Sequence, residues 1–304
     1  MKHIVIWLKA ARLKLHILGM LPVLVGSLIA AGRAGSLRIP NIVFAELITL
    51  FVLITTAFAN DYADAETDSL NRNFNIFSGG SRVIPDGFIS KREMLFATIL
   101  SSLLSAIFSI VYLIFLRGHP IVVGLTVIGL FMGIEYSLPP LKINYRGLGE
   151  LFVVIMYSVF CLFFGYATQA GPDFDILLLY LSVPSAISMF LMILITEVPD
   201  AKSDKISGKK TIPSLLGKDK SFSIYSLGVM ALYVTIFSLS VAGVINKFTF
   251  NGLFSSLPVG IVLFGISLSR KALTPKKVSL LCGLTLILNI WVNVVLSLNF
   301  AIGA

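Results

Sequence analysis

Nine separate runs of mostly apolar residues punctuate the chain, at 15–32, 42–60, 94–116, 120–137, 151–169, 175–196, 222–245, 253–269 and 278–300. A hydrocarbon layer about 30 Å thick needs about 20 helical residues to cross it, and within it each span must satisfy its own backbone N–H and C=O groups. Nine such runs predict an all-α polytopic membrane protein. Composition agrees: 57% of the 304 residues are hydrophobic and only 13% are charged, where soluble domains carry about 25% charged residues. The first run ends in the small residues Ala30, Ala31 and Gly32, as a cleaved signal peptide would, but its length and the eight runs behind it favour a retained span.

A formal charge of +9 would suit a nucleic-acid binder in a soluble protein. Here the placement of the charges excludes that reading. Assigning loops alternately to the two sides of nine spans puts 20 of the 24 Lys and Arg residues on the side of the N-terminus and 4 on the other. By the positive-inside rule the N-terminus is cytoplasmic and the C-terminus outside. The expectation is a single transmembrane domain over residues 1–304, in the plasma membrane, with its polar loops in the cytoplasm. The two cysteines, Cys161 and Cys282, lie in separate apolar runs, and His3, His16 and His119 have no cysteine or acid at ligand spacing. A disulfide framework and a zinc signature are thereby excluded, so any metal must be held by oxygen.

The acids collect in two cytoplasmic clusters. The first, at the end of the second run, reads Asn60-Asp61-Tyr62-Ala63-Asp64-Ala65-Glu66-Thr67-Asp68. On a continuing helix, Asp61, Asp64 and Asp68 at i, i+3 and i+7 fall on one stripe, where their mutual repulsion calls for divalent cations between them. Hard oxygen ligands of this kind suit Mg²⁺, bound by a few carboxylates together with substrate phosphates. The second cluster, at the end of the sixth run, reads Glu197-Val198-Pro199-Asp200-Ala201-Lys202-Ser203-Asp204, with Asp200 and Asp204 at i and i+4. Each cluster alone could be a solvated helix end. Their occurrence four spans apart on the same side suggests two walls of one cavity.

Basic residues follow each cluster, as a polyphosphate ligand requires: Ser78-Gly79-Gly80-Ser81-Arg82 after the first and Gly208-Lys209-Lys210-Thr211 after the second. Glycine-rich turns expose backbone N–H groups, and Arg82 or Lys209 can neutralise phosphate oxygens. Neither turn has P-loop spacing. Lys202, Lys205, Lys218 and Lys220 read as positive-inside anchors. The loop 136–150, with Lys142, Tyr145 and Arg146 flanked by Glu135 and Glu150, is a third candidate wall.

With these residues in place, the chain resembles the UbiA superfamily of intramembrane prenyltransferases. Asn60 to Asp68 matches the family's N-D-x-x-D-x-x-x-D motif at every fixed position, and Asp200 to Asp204 matches its second motif, D-x-x-x-D. The resemblance implies nine transmembrane helices in one bundle around a central cavity. It also implies Mg²⁺-dependent transfer of a polyprenyl group, geranylgeranyl or longer, from its diphosphate to an acceptor. On this resemblance Asn60, Asp61, Asp64, Asp68, Asp200 and Asp204 serve the metal, and Arg82, Lys142, Lys209, Arg146 and Tyr145 contact substrate. Asp64, Asp200 and Lys142 are the expected catalytic residues.

The stretches Phe77-Ser78-Gly79-Gly80-Ser81-Arg82-Val83, Tyr145-Arg146-Gly147-Leu148-Gly149-Glu150 and Gly208-Lys209-Lys210-Thr211 are similar to the menaquinone branch. Its acceptor is the aromatic 1,4-dihydroxy-2-naphthoate. Of the N-R-P-x-R-P-I-P-S-G pattern usual in the chlorophyll, haem and archaeal-lipid branches, only Asn71-Arg72 is present. Two departures stand out: Ala11-Arg12-Leu13 replaces the usual A-R-P, and Thr196-Glu197-Val198-Pro199 replaces the usual approach to the second motif. The alternative within enzymes is a prenyl ether synthase of archaeal-type lipids, with a geranylgeranylglyceryl phosphate acceptor. A cation transporter would place ionisable groups mid-span, where this chain has little beyond Glu46.

Overall fold

The computed structural model describes residues 2–71, 74–269 and 274–301, and all its regular elements are helical. Arg72, Arg270 and Lys271, used in the motif and charge readings above, lie outside the described residues. The order is α1 (Lys2–Ala10), α2 (Leu13–Ala34), α3 (Ile39–Leu70), α4 (Lys91–Phe115), α5 (Ile121–Glu135), a 3₁₀ turn (Ile143–Tyr145), α6 (Gly149–Val154), a π-helical stretch (Ile155–Phe160) and α7 (Cys161–Ala170). It continues with α8 (Ile176–Glu197), α9 (Ala201–Ser207), α10 (Ile212–Leu216), α11 (Lys218–Val241), α12 (Lys247–Phe254), α13 (Leu257–Leu268) and α14 (Pro275–Ala301).

Among the described residues, eight helical stretches are long and apolar enough to cross a membrane, counting Gly149–Ala170 and Lys247–Leu268 as one each. They carry eight of the nine predicted runs. The remaining run is α5, with 15 residues, which at 1.5 Å per residue is about 22 Å long and falls short of a full hydrocarbon layer. It ends early because the chain turns at Ser137 ahead of Pro139-Pro140, where no helix can continue. The second run errs the other way. With 32 residues, α3 is about 48 Å long and carries the first acid motif on its last three turns, beyond its apolar stretch.

The surface and interior follow the logic of a lipid solvent. Large side chains such as Leu103, Phe115, Val234, Phe237 and Trp291 are exposed on the outside, while Leu162, Leu191, Ile195, Phe222, Tyr225 and Leu288 are buried where α2, α7, α8, α11 and α14 meet. Polar groups inside are matched across helices: Ser185 donates to Asn293 Oδ1 at 2.8 Å and Asn289 Nδ2 donates to Ser188 Oγ at 2.8 Å, joining α8 to α14. Such pairs hold helices together in lipid, where apolar contact alone does not drive association.

The backbones of α2 and α7 approach closely where they cross. A Cβ on Gly26 would lie 1.8 Å from the Leu162 carbonyl oxygen, and one on Gly165 would lie 1.9 Å from that of Val23. Ser27 Oγ seals the crossing by donating to the Gly165 carbonyl at 3.1 Å. This contact fixes α2, and with it Arg12 and His16, against the rest of the bundle.

Gly165→Leu is therefore expected to cost about 3 kcal/mol and to lower the unfolding temperature in detergent. Gly265→Leu, at a position where an added Cβ meets nothing within 4 Å, should leave it unchanged. Equal melting curves for the two variants would remove this crossing as a determinant of the fold.

Candidate active site

Each acid motif is placed by a helix end. Residues Asn60, Asp64 and Asp68 stand one turn apart on α3, and their side chains line a cavity of about 250 Å³ that Asp200 and Asp204 line from the opposite side. Asp61, one residue out of phase, points elsewhere: its carboxylate takes the Arg12 guanidinium, the Ser81 hydroxyl and the Ser81 backbone N–H, the last at 3.2 Å. The stripe anticipated from the sequence as Asp61, Asp64 and Asp68 is thus, on the cavity side, Asn60, Asp64 and Asp68. The helical rotation of about 100° per residue and the cation at Arg12 explain the difference.

The loop after α3 ties the two motifs together. Gly79 and Gly80 have φ of +75° and +68°, and a Cβ on Gly80 would lie 1.9 Å from Asp68 Oδ2, so glycine is required twice over. The N–H of Gly79 donates to Asp200 Oδ2 at 2.9 Å, and Asn71 Nδ2 donates to Asp200 Oδ1 at 2.6 Å. In this structure those N–H groups serve a carboxylate of the second motif, where the sequence reading had them serve a phosphate.

On the other side, Gly208 in a left-handed conformation ends α9 and turns the chain back, so that Lys209 enters the cavity. Its Nζ donates to Asp64 Oδ2 at 2.6 Å. Asp64 also accepts from Asn60 Nδ2 at 2.6 Å and from the Tyr145 hydroxyl at 3.2 Å. Thr211 donates to Asp204 Oδ2 at 3.3 Å while capping α10 through the Ser214 N–H.

The electrostatics follow from burial. Desolvation pushes Asp204 up to about 7, against the opposing charge of Lys209, and raises Asp200 in spite of the hydrogen bonds from Gly79, Asn71 and Ser78. For Lys209 burial works against the charge, but Asp64 and Asp204 outweigh it and hold the ammonium above the ordinary lysine range. Arg12 shows the same balance with Asp61.

Not all expected substrate contacts reach this cavity. Arg82 caps the end of α3 by donating to the Asp68 carbonyl at 2.7 Å, pairs with Asp86 at 3.2 Å and lies over the Phe74 ring. Lys142 Nζ sits 3.9 Å from the centre of the Tyr145 ring, and the exposed Arg146 binds the Leu141 and Pro140 carbonyls of its own turn. Tyr136 and Tyr157 line the cavity, whereas Tyr62 packs near Met94 in another cluster. Arg12, in the stretch that departs from the usual A-R-P, lines the cavity and pairs with Asn60 and Asp61. Its signal was the Ala11-Arg12 pair preceding the first span.

Among the described residues, no three His, Cys, Asp or Glu side chains form a ready cation cage. The donor set nonetheless fits Mg²⁺: carboxylates of Asp64, Asp68, Asp200 and Asp204 and an amide oxygen at Asn60 line one cavity, and a hard cation so held keeps coordination positions for phosphate oxygens. The far wall is apolar, built by Leu18, Val153, Met189, Met192 and Ile193. Through Leu53, Thr56, Phe152 and Tyr157 the cavity borders an apolar slot of about 50 Å³ between α3, α5 and the π-helical stretch.

A sequence profile of the UbiA prenyltransferase family matches residues 19–279. The chain is 25% identical over 235 residues to the 2-carboxy-1,4-naphthoquinone phytyltransferase of Synechocystis, spanning 75% of this chain and 72% of that protein. It is 29% identical over 209 residues to the digeranylgeranylglyceryl phosphate synthase of Methanothrix thermoacetophila, spanning 67% and 68% of the two. The fold is similar to the structure of a UbiA homolog from Archaeoglobus fulgidus bound to GPP and Mg²⁺, with a TM-score of 0.67 at 16% identity over 96% of this chain and 99% of that one.

The Lys209–Asp64 pair, with side chains 11% and 3% exposed, should behave as a buried ion pair. Under chelating conditions Lys209→Met is expected to cost about 3 kcal/mol, and adding Asp64→Asn should restore most of it. Unfolding measurements that find the two changes simply additive would show that the pair is not coupled.

Proposed function

The chain belongs to the UbiA prenyltransferase family, is an integral membrane protein and a prenyltransferase, and from that premise we propose that it transfers a polyprenyl group from an isoprenyl diphosphate to an aromatic acceptor, 1,4-dihydroxy-2-naphthoate. The observation that carries the reading is the division of the cavity: four carboxylates and Lys209 at one end, methionine, leucine and aromatic side chains at the other. That division matches a substrate with a diphosphate head and a hydrocarbon tail.

In this reading Asp64, Asp68, Asp200 and Asp204, with Asn60, would hold Mg²⁺. The metal supplies Lewis-acid stabilisation of the leaving group. Lys209, already charged and buried, exchanges part of its contact with Asp64 for a phosphate oxygen and neutralises charge that builds up as the C–O bond breaks. Arg82 acts at one remove, fixing the last turn of α3 and so the position of Asp68. The apolar wall and the slot beside it take the isoprenoid and keep water from the allylic cation, which the electron-rich ring carbon of the acceptor then attacks, the ring losing a proton or its carboxylate as CO₂ as the diphosphate departs. On this reading residues 1–304 act as one domain in the plasma membrane, with the site open to the cytoplasmic side, an orientation the loop charges support.

Similarity to the naphthoquinone phytyltransferase favours the aromatic acceptor. Similarity to the glyceryl phosphate synthase over two thirds of the chain keeps the ether-lipid acceptor as the second reading. A transfer assay on purified protein separates them, with labelled geranylgeranyl diphosphate, Mg²⁺ or chelator, and dihydroxynaphthoate, 4-hydroxybenzoate or geranylgeranylglyceryl phosphate in parallel. The expected result is Mg²⁺-dependent product with the naphthoate, reduced at least about a thousandfold in Asp64→Ala and Asp200→Ala proteins that remain folded. Product with the glyceryl lipid alone would move the protein to ether-lipid synthesis, and full activity of both variants would overturn the metal assignment.

A further inference from the structure

The short helix α9 stands between two cavities. Asp200, Ser203 and Asp204 line the acid-rich one, whereas Ala201, Lys202 and Lys205 line a second, of about 630 Å³. Helical phase makes the division: positions 200, 203 and 204 share one face of the helix, and 201, 202 and 205 share another. Ser203 and Asp204 are buried, while Lys202 and Lys205 are exposed. Beyond α9, the second cavity is walled by Pro199, by α10, by Lys218 at the start of α11, by Val278 of α14 and by Phe74 of the loop after α3. Among the described residues none lines both cavities.

Charge on this second wall is one-sided. Lys202, Lys205 and Lys218 line it and no Asp or Glu does. Among the described residues none of the three lysines forms an ion pair, in contrast to Lys91 with Glu66 and Lys209 with Asp64. Asp219, next to Lys218 in sequence, is exposed and does not line the cavity. Three ammonium groups around one hollow repel one another and attract an anion. The same wall is also greasy: Leu215 and Leu216 are 61% and 45% exposed, and Phe74 is exposed beside them. With five residues, α10 is too short to cross a membrane, so its leucines are not part of a spanning face. A soluble anion satisfies the lysines and leaves the leucines in water, and a neutral lipid does the reverse. A molecule with an anionic headgroup and an acyl chain satisfies both.

We propose that this cavity binds an anionic phospholipid, its phosphate among Lys202, Lys205 and Lys218 and its acyl chain along Leu215, Leu216 and Phe74, and that the bound lipid braces α9 from behind. Long lysine stems lie along apolar surface while their ammonium groups reach the phosphate. Because Lys202, Lys205 and Asp204 stand on one seven-residue helix, fixing its outer face fixes the inner one, and the second acid motif with it. The site is separate from the acid-lined cavity, so the inference does not depend on which acceptor that cavity takes.

Native mass spectrometry of the purified full chain in neutral detergent tests this by counting the lipids bound when phosphatidylglycerol or phosphatidylcholine is added. Phosphatidylglycerol should bind in preference, and the triple change Lys202→Gln, Lys205→Gln and Lys218→Gln should weaken it about a hundredfold. Arginine at the same three positions, or Lys247→Gln at the start of α12, should leave it within about threefold of the unaltered chain. Hydrogen exchange over residues 201–207 should slow at least about threefold with phosphatidylglycerol, and not in the glutamine variant. The three lysines are exposed, so the variants keep the fold, which their melting curves check. Equal binding of the two lipids, a glutamine variant that binds as tightly as the unaltered chain, or exchange in α9 that ignores the bound lipid would overturn the inference. So would inorganic phosphate or a glutamate-rich peptide that displaces the lipid at equal concentration, since the site would then serve a soluble anion or a protein segment.

Discussion

Four largely buried carboxylates around one cavity cannot all stay charged without cations beside them, and most of what positions this site follows from how that repulsion is met. Lys209 reaches back from the turn after α9 to Asp64, and Arg12 comes from the joint between α1 and α2 to Asp61. The N–H of Gly79 reaches Asp200 from the loop after α3. Each tie joins segments distant in sequence, so these charges also close one end of the bundle. A buried ion pair of this kind adds little net stability over an apolar pair but is costly to break from one side. On the proposed reading, this arrangement exchanges partners when a diphosphate and its metal arrive.

The membrane supplies the other half of the chemistry. Below the carboxylates the cavity wall becomes Leu18, Val153, Met189 and Met192, then the slot lined by Val52, Leu125, Phe160 and Phe164. Charge is confined to one end because a charged group deeper in the layer would cost several kcal/mol. The same confinement keeps the hydrocarbon part of a prenyl substrate apart from water. The exposed leucines and phenylalanines on the outer face of α4 and α11 make lipid the natural solvent of the whole assembly.

Much of this was legible in the residues. Hydropathy gave the helices, because a 20-residue apolar run has few other fates, and the i, i+3, i+7 acids gave the first wall. Phase was not legible. Whether Asn60 or Asp61 faces the cavity depends on a rotation about α3 that Arg12 and Ser81 settle through tertiary contacts. Nor could spacing reveal that Arg82 caps a helix end while Lys209 enters the cavity, since both follow glycine turns and differ only in where the chain folds back. The Gly26–Gly165 crossing was hidden among 24 glycines, because close approach is a property of two helices together.

The central claim is that both acid motifs bind one metal–diphosphate unit. Calorimetric titration of the purified protein with geranylgeranyl diphosphate, with and without Mg²⁺, tests it most directly. The account predicts reciprocal tightening of metal and diphosphate, lost alike when Asp64 or Asp200 is replaced by asparagine. Diphosphate binding that is indifferent to Mg²⁺, or coupling that survives loss of either motif, would contradict it.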